Sequence, residues 1–302
     1  MEELNQKVTQ LIQENQQIIE KLELIHNVIE KPKNFCNDLK KKGEHGETTS
    51  IKLPFYIQII PSKAFANLKT LVEVLIPPSV TTIEYAAFSG CTSIKKIKIP
   101  KSVTIIGHSS FFGCTSLEEI NIPYSVLCIK SNAFGDCKSL KSIEIPPSVE
   151  TIEHDVFSGC ESLFSVKLNK QATIEASAFS NCTSLTDIEI PASVYRIGPA
   201  AFFNCTSLKS VKIPFLISVI EPSTFSGCSS LQNVEMPKTV QSIGPAAFNA
   251  CTSLTKIYIP SSVMTIGMDA FGECTSLKEV DIYPKTILGS YAFPENVKFI
   301  NH

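Results

Sequence analysis

The sequence contains no tryptophan and no uninterrupted apolar run of about 18 residues, the length that suggests a membrane-spanning helix. It also lacks an excess of positive charge, since 27 Lys and Arg stand against 29 Asp and Glu. Nucleic acid and acidic membrane surfaces attract basic proteins, so both are disfavoured as partners.

The first residues are acidic and polar, unlike a secretory signal. We therefore expect a cytoplasmic protein without direct membrane insertion, with unconventional export to the cell surface as the alternative.

Motifs for catalysis are missing as well. The chain has no nucleophile elbow, P-loop or Rossmann fingerprint. Its five histidines are scattered, and most of its cysteines lie 22 or 23 residues apart, far from the close spacing of a zinc site. The sequence therefore predicts a non-enzymatic protein with no catalytic residue, no metal site and no cofactor.

The sequence does contain a long internal repeat. Nine of the 11 cysteines follow one another at intervals of 23 residues, with a single interval of 22. A phenylalanine precedes each of them by three positions, and the phenylalanine series extends by one member at each end. Its members are Phe65, Phe88, Phe111, Phe134, Phe157, Phe179, Phe202, Phe225, Phe248, Phe271 and Phe293. This period predicts a solenoid of about eleven stacked units.

One unit shows how each turn is built. Ile97 and Ile99 alternate with lysines, which is the pattern of a strand with one buried face. Pro100 ends that strand because it lacks a donor, and Val103 and Ile106 bring a second extended segment to the core. Only a single helical turn fits before the next phenylalanine. Each unit is therefore predicted to contain a parallel β-strand and a short helical turn, and to bury its apolar face against its neighbours.

Two units depart from this pattern. The unit between Cys160 and Cys182 is one residue short and has Asn169 in place of the usual proline, which predicts a local kink. The last unit has Pro294 directly after Phe293 and no cysteine, as expected of a terminal cap.

The recurring pattern C-T-S-L-x-x-I-x-I-P-x-S-V-x-x-I-G-x-x-A-F, seen from Cys251 to Phe271, resembles the BspA-like class of leucine-rich repeat proteins. The resemblance covers roughly residues 51–300 and is specific, because apolar, Pro, Gly, Phe and Cys positions recur together. It implies a right-handed leucine-rich repeat solenoid used for protein recognition. Members of the class are often surface proteins of bacteria and of parasitic or commensal protists that bind host or bacterial surfaces.

The repeat cysteines are predicted to form a ladder of reduced, buried thiols, with disulfides or metal ligation as alternatives. They are Cys91, Cys114, Cys137, Cys160, Cys182, Cys205, Cys228, Cys251 and Cys274. Cys36 and Cys128 lie outside this register. Asn181 and Asn204 begin N-x-T sequons, yet four other units have Gly at that position, which indicates a left-handed turn.

One column of outward residues beside the strand core is the candidate partner-binding face, which we name the first strand face. It consists of Lys98, Asn121, Glu144, Lys167, Glu189, Lys212, Glu235, Tyr258 and Asp281. Its charges alternate from Glu144 to Glu235, so stacked parallel strands place opposite charges side by side. The alternatives are a self-neutralised ladder that faces solvent and a surface that binds a protein by polar complementarity.

The N-terminal residues carry a coiled-coil seam with alternating spacings of four and three. The seam consists of Leu4, Val8, Leu11, Asn15, Ile18, Leu22, Ile25 and Ile29. Asn15 at an a position favours a parallel dimer, whereas Ile12 and Ile19 at e positions widen the apolar stripe and would suit a trimer. The alternative is a helix that folds back and caps the first repeat.

The predicted organisation is a coiled-coil oligomerisation helix over residues 1–30, a linker over 31–50 and the leucine-rich repeat solenoid over 51–302. Several weak recognition faces held together gain effective concentration, so this organisation suits a multivalent binder. We expect an oligomeric protein-binding module whose partner is a protein of unknown identity. The resemblance favours an adhesin-like or host/cell-surface interaction protein. The missing export signal favours the alternative, an intracellular oligomeric scaffold or regulatory protein.

Overall fold

The computed structural model describes residues 7, 10, 12–20, 35 and 49–301. From residue 49 onwards the chain forms a parallel β-solenoid of about eleven turns. Most turns contain one strand of three or four residues and one strand of two residues, separated by tight turns. The second extended segment predicted from the apolar pattern is therefore a strand of its own.

The longer strands form the first row of the solenoid. They are β1 (Ser50–Lys52), β3 (Glu73–Leu75), β5 (Lys96–Lys98), β7 (Glu119–Asn121), β9 (Ser142–Glu144), β11 (Ser165–Lys167), β14 (Ser210–Lys212), β16 (Asn233–Glu235), β18 (Lys256–Tyr258), β20 (Glu279–Ile282) and β22 (Lys298–Asn301). They pair in parallel as β1–β3, β5–β7, β9–β11, β14–β16 and β18–β20–β22. Successive side chains of a strand point to opposite sides, so the apolar middle residue faces the core and its polar neighbours face solvent.

The two-residue strands form the second row. They are β2 (Ile59–Ile60), β4 (Thr82–Ile83), β6 (Ile105–Ile106), β8 (Cys128–Ile129), β10 (Thr151–Ile152), β12 (Thr173–Ile174), β13 (Arg196–Ile197), β15 (Val219–Ile220), β17 (Ser242–Ile243), β19 (Thr265–Ile266) and β21 (Ile287–Leu288). They build the parallel ladders β2–β4–β6–β8, β10–β12–β13 and β15–β17–β19–β21. The second residue of each strand is buried in every turn except the last.

A third row consists of β-turns, and here the expectation of a short helical turn is wrong. The Ala87 N–H donates to the backbone carbonyl of Glu84, and the Cys91 N–H donates to that of Phe88. Each bond closes a four-residue turn. Ala86 and Gly90 have φ of 52° and 72° at the third position of these turns, as type II turns require. Positive φ interrupts a helix, and no helix occurs within residues 49–301. Asn181 and Asn204 have φ of 59° and 58°, which confirms the left-handed turn predicted for them.

The core is a continuous stack of phenylalanine rings. Neighbouring rings lie 4.9 to 5.7 Å apart between centroids and are tilted by no more than 19°. Phe65 to Phe271 are fully buried, and the core-facing isoleucines and valines of both strand rows are buried in nearly every turn. The Phe88 amide donates to Ser110 of the next turn at 2.7 Å, and equivalent bonds join the other turns. Stacking between turns therefore supplies both the apolar burial and the backbone pairing.

The first row of strands is interrupted next to the short unit, where the sequence predicts a local kink. The backbone N–H of Asn169 donates to Oε1 of Gln171 at 2.6 Å. Gln171 is fully buried, and its Nε2 donates to the carbonyls of Pro146 and Val149 at 3.2 and 3.0 Å. In the following turn, residues 187–189 form no assigned strand, so the first row lacks a member there.

The N-terminal region is described only in part. Residues 12–20 are helical, and Phe35, which falls in the predicted linker, is helical and packs half-buried against the solenoid core. The domain boundaries at residues 30 and 50 stay predictions.

Candidate protein-binding face

The structure places the first strand face on one side of the solenoid. Seven of its nine residues are the last residue of a longer strand, each beside a core-facing neighbour. Asp281 lies inside β20, and Glu189 lies in the turn without an assigned strand. All are exposed except Asp281, which is half-buried. The predicted column therefore exists as a row of accessible side chains along the solenoid.

Ion pairs between neighbouring turns occupy the middle of this face. Nζ of Lys167 lies 2.8 Å from Glu144, and Nζ of Lys212 lies 3.4 Å from Glu235. The hydrogen bond from Lys167 holds the pKa of Glu144 below its usual range. Both pairs agree with the charge alternation, whereas Glu189 forms no ion pair with any described residue. These pairs are exposed, so each contributes little to stability and can exchange its partner.

Two shallow depressions lie towards the ends of the face. One has a volume of about 660 Å³ and is lined by Leu75, Lys98 and Asn121 among others. The other has a volume of about 640 Å³ and includes Tyr258 and Asp281 in its lining. A hydrogen bond with Tyr283 raises the pKa of the Tyr258 hydroxyl, which stays protonated and able to donate. Both ends therefore combine apolar surface with hydrogen-bonding groups.

The repeat cysteines form the predicted buried ladder. Each Sγ donates to the carbonyl of the phenylalanine in the preceding turn at 3.0 to 3.3 Å. Burial raises the pKa of Cys91 and Cys228 to about 12. All the described cysteines are free, and Cys128 alone among them is half-buried. Because the thiolate is the reactive form, the buried thiols are packing groups rather than nucleophiles or ligands.

The predicted coiled-coil seam falls mostly outside the described residues. Asn15 and Ile18 lie on the helix of residues 12–20, where both are exposed. Ile12 and Ile19 are exposed on the same helix. The six seam residues outside the described part are Leu4, Val8, Leu11, Leu22, Ile25 and Ile29. Oligomerisation through this helix stays a prediction.

The binding face predicted from the sequence does not include the face built by the second row of strands. The signal was available, because the outward residues beside Val103, Val126 and their equivalents are almost free of charge.

Among the described residues, no helix combines the length and apolarity needed to cross a bilayer.

Comparison with known families decides the classification. A family model described as "BspA type Leucine rich repeat region (6 copies)" matches residues 44–171 and again residues 172–299. The chain belongs to the BspA-type leucine-rich repeat family. The resemblance seen in the sequence is thereby confirmed, together with the leucine-rich repeat solenoid.

Solved structures resemble this BspA-type chain over most of its length. A leucine-rich repeat protein from Bacteroides ovatus is 28% identical, with 85% of this chain and 84% of that chain covered and a TM-score of 0.60. A leucine rich cell surface protein from Faecalibacterium prausnitzii is 28% identical, with coverages of 79% and 83% and a TM-score of 0.56. A leucine-rich repeat protein from Eubacterium ventriosum, 22% identical with coverages of 85% and 86% and a TM-score of 0.57, shares the fold. No curated protein matches this BspA-type chain.

Proposed function

We propose that this protein is a non-enzymatic binding module that presents the first strand face to a protein partner in an adhesin-like role. The observation that carries the proposal is the row of accessible polar side chains along the solenoid, with a depression towards each end. Leucine-rich repeat solenoids serve widely as extended recognition surfaces. The F. prausnitzii relative, described as a cell surface protein, supports a surface role.

Recognition on this face combines two kinds of contact. The ion pairs of Lys167 and Lys212 can be exchanged for pairs with a partner, which sets orientation more than affinity. Tyr258, with an amphipathic ring beside a depression, is the best anchor on the face. One face gives modest affinity, and a coiled coil of residues 1–30 would raise the avidity of several faces.

Site-specific photo-crosslinking tests the binding face. A benzophenone amino acid replaces Tyr258 in one protein and Tyr85, which is exposed on the turn side, in a control. In the cells that make the protein, we expect a discrete crosslinked partner from position 258 and none from position 85. Equal capture at both positions would contradict the assignment of the face.

Immunofluorescence on intact and permeabilised cells tests the proposed location. Staining of intact cells is the result expected of an adhesin-like protein. Staining that requires permeabilisation would reject the surface role and favour the intracellular scaffold, while the binding face could still be tested by crosslinking.

A further inference from the structure

The second row of strands presents a face of different chemistry, which we name the second strand face. It consists of two columns, Gln58, Thr81, Thr104, Leu127, Glu150, Ala172, Tyr195, Ser218, Gln241, Met264 and Thr286, and Ile59, Thr82, Ile105, Cys128, Thr151, Thr173, Arg196, Val219, Ser242, Thr265 and Ile287. These side chains are exposed or half-buried except that of Thr173, which is buried. Only Glu150 and Arg196 carry a charge, whereas seven of the nine residues of the first strand face are charged. Depletion of charge is the mark of an interface core.

Large apolar side chains are exposed on this face. Leu127 is 57% exposed, Tyr195 59%, Met264 54% and Ile287 68%. Ile59, Ile105 and Val219 are also exposed. Their strands pair only with the strands of neighbouring turns, so no described part of the chain covers these side chains. A surface of this kind suits a partner that is itself flat and uncharged.

The two charges are placed symmetrically about the middle of the solenoid. Ala172 and Thr173 belong to the sixth of eleven turns, Glu150 lies one turn before them and Arg196 one turn after. A two-fold axis along β12 exchanges these neighbouring turns. In a second copy facing the first, Arg196 would then be offset from Glu150 by one residue along the strand direction, about 3.3 Å, with their side chains meeting across the space between the sheets. Arg196 is paired with Glu175 of its own chain, and its guanidinium has further N–H donors for a second carboxylate.

The same axis places the exposed ring of Tyr195 against a depression on the second copy. Leu127, Cys128, Glu150 and Thr151 line a depression of about 300 Å³ between the fourth and fifth turns, and the Lys130–Glu153 ion pair forms another part of its lining. The axis brings Tyr195 of a second copy over the position of Glu150, at the edge of this depression. It also brings Ile287 over Ile59 and Thr265 over Thr82, so residues of the same type meet towards both ends.

We propose that the second strand face binds a second copy of this chain, face to face about a two-fold axis along β12, with Tyr195 of each copy seated on the Leu127–Glu150 depression of the other. Packed sheets lie about 10 Å apart, so facing side chains meet between them. The axis places the first turns of the two solenoids at opposite ends of the pair. This contact is therefore separate from a parallel coiled coil of residues 1–30, and it goes beyond the partner-binding role of the first strand face.

Thiol crosslinking in the full chain tests the predicted register. The axis places Cys128 opposite Val219 of the second copy. In a Cys36→Ser background, Val219→Cys should therefore give a covalent dimer with a short bismaleimide. The matched control is Ile287→Cys, which the axis places three turns from Cys128 of the second copy, roughly 14 Å along the row. We expect little dimer from this control, and none from Val219→Cys combined with Cys128→Ser.

Sedimentation velocity of variants at Tyr195 completes the test. Tyr195→Ala should weaken the face-to-face contact by at least tenfold and reduce crosslinking through Val219→Cys to the same degree. Tyr85→Ala, an exposed tyrosine outside the face, should change neither. Absence of the Val219→Cys dimer, or equal dimer from Ile287→Cys, would overturn the proposed pairing.

Discussion

At the scale of single residues, phenylalanine and cysteine make different contacts between neighbouring turns. The ring stacks on the rings before and after it, at 5.5 and 5.4 Å for Phe202. The thiol three residues later satisfies the carbonyl of the preceding ring, as Cys205 does for Phe179 at 3.2 Å. Loss of the thiol therefore affects two turns of the solenoid, and loss of the ring affects three.

Truncation of one ring tests the stacking. Phe202→Ala should lower the free energy of unfolding by about 3 to 5 kcal/mol, because it removes a buried ring and leaves a cavity between turns. Phe293→Ala should cost less, since Phe293 is half-buried and stacks on Phe271 alone, with Phe299 at its edge. Urea unfolding measures both values. Equal losses at the two positions would argue against stacking between neighbours as the source of stability.

The buried thiols make the protein sensitive to alkali. Burial raises the pKa of Cys91 and Cys228 to about 12 and also raises the pKa of Cys114, Cys137, Cys160, Cys182 and Cys205. An unfolded thiol has a pKa of about 8.5, so above that pH the unfolded state loses protons that the native state keeps. The stabilisation is complete below about pH 8.5 and is lost as the pH rises towards the native pKa, at about 1.4 kcal/mol per pH unit for each thiol.

Urea unfolding between about pH 8 and 11 should therefore show a steep fall in stability. Cys91→Ala is the control, and its slope should be shallower by the contribution of one thiol. Stability that is independent of pH over this range would mean that the thiols are not buried as described.

The spacing of the sequence was enough to predict the stacked turns and the Cys ladder, because identical residues at one period must occupy identical environments. The turn conformation could be predicted only where Gly or Asn marks it. Ala86 and Ala246 have φ of 52°, a conformation that alanine disfavours. Their amides donate to His108 and Met268 of the next turns, so contacts distant in sequence impose a conformation that local preference opposes.

At the scale of elements, the short unit shows how a deletion is accommodated. Loss of one residue brings Gln171 into the core position that valine or isoleucine fills in the neighbouring units. Its amide then bonds to Pro146, Val149 and Asn169, so no part of its polar end is left unpaired. The sequence predicted an irregularity here. It could not predict the interrupted strand at residues 187–189, because strand pairing depends on small displacements of the neighbouring turn.

Replacement of this glutamine tests the account of the short unit. Gln171→Leu should lower the free energy of unfolding by about 2 to 4 kcal/mol, since it leaves the Val149 carbonyl and the Asn169 backbone N–H without their partners and removes one of the two hydrogen bonds to the Pro146 carbonyl. Gln232→Leu makes the same chemical change at an exposed position outside the second strand face and should alter stability by less than about 0.5 kcal/mol. Urea unfolding of both variants gives the comparison, and similar values would show that the Gln171 bonds contribute nothing.

At the scale of the whole molecule, the solenoid is stabilised by its own stacked turns, and the role of the N-terminal seam stays a prediction. The seam pattern from Leu4 to Ile29 suits both a coiled coil and a cap, because either arrangement buries one apolar stripe. Phe35 packs against the core, so part of this region does contact the solenoid. Sequence alone could not separate the two arrangements, because the choice depends on a second surface.

Deletion of residues 1–30 in the Tyr195→Ala protein distinguishes a coiled coil from a cap. The Tyr195→Ala protein should remain oligomeric through its helices, and the additional deletion should give a folded monomer by sedimentation equilibrium. Binding to a surface coated with partner should fall by roughly 10²-fold or more, while the affinity of one solenoid for one soluble partner stays unchanged. A monomeric Tyr195→Ala protein at micromolar concentration would show that the helix is a cap.

The most direct test of the central claim is the affinity of the partner captured at Tyr258, measured by titration calorimetry against two matched pairs of variants. Tyr258→Ala and Lys98→Glu change the first strand face, whereas Tyr85→Ala and Lys238→Glu make the same changes at exposed positions outside it. We predict that each face variant binds at least about tenfold more weakly, a loss of about 1.4 kcal/mol, and that both controls bind like the unaltered protein. Equal affinity for all four variants, or a loss confined to the controls, would contradict recognition through the first strand face.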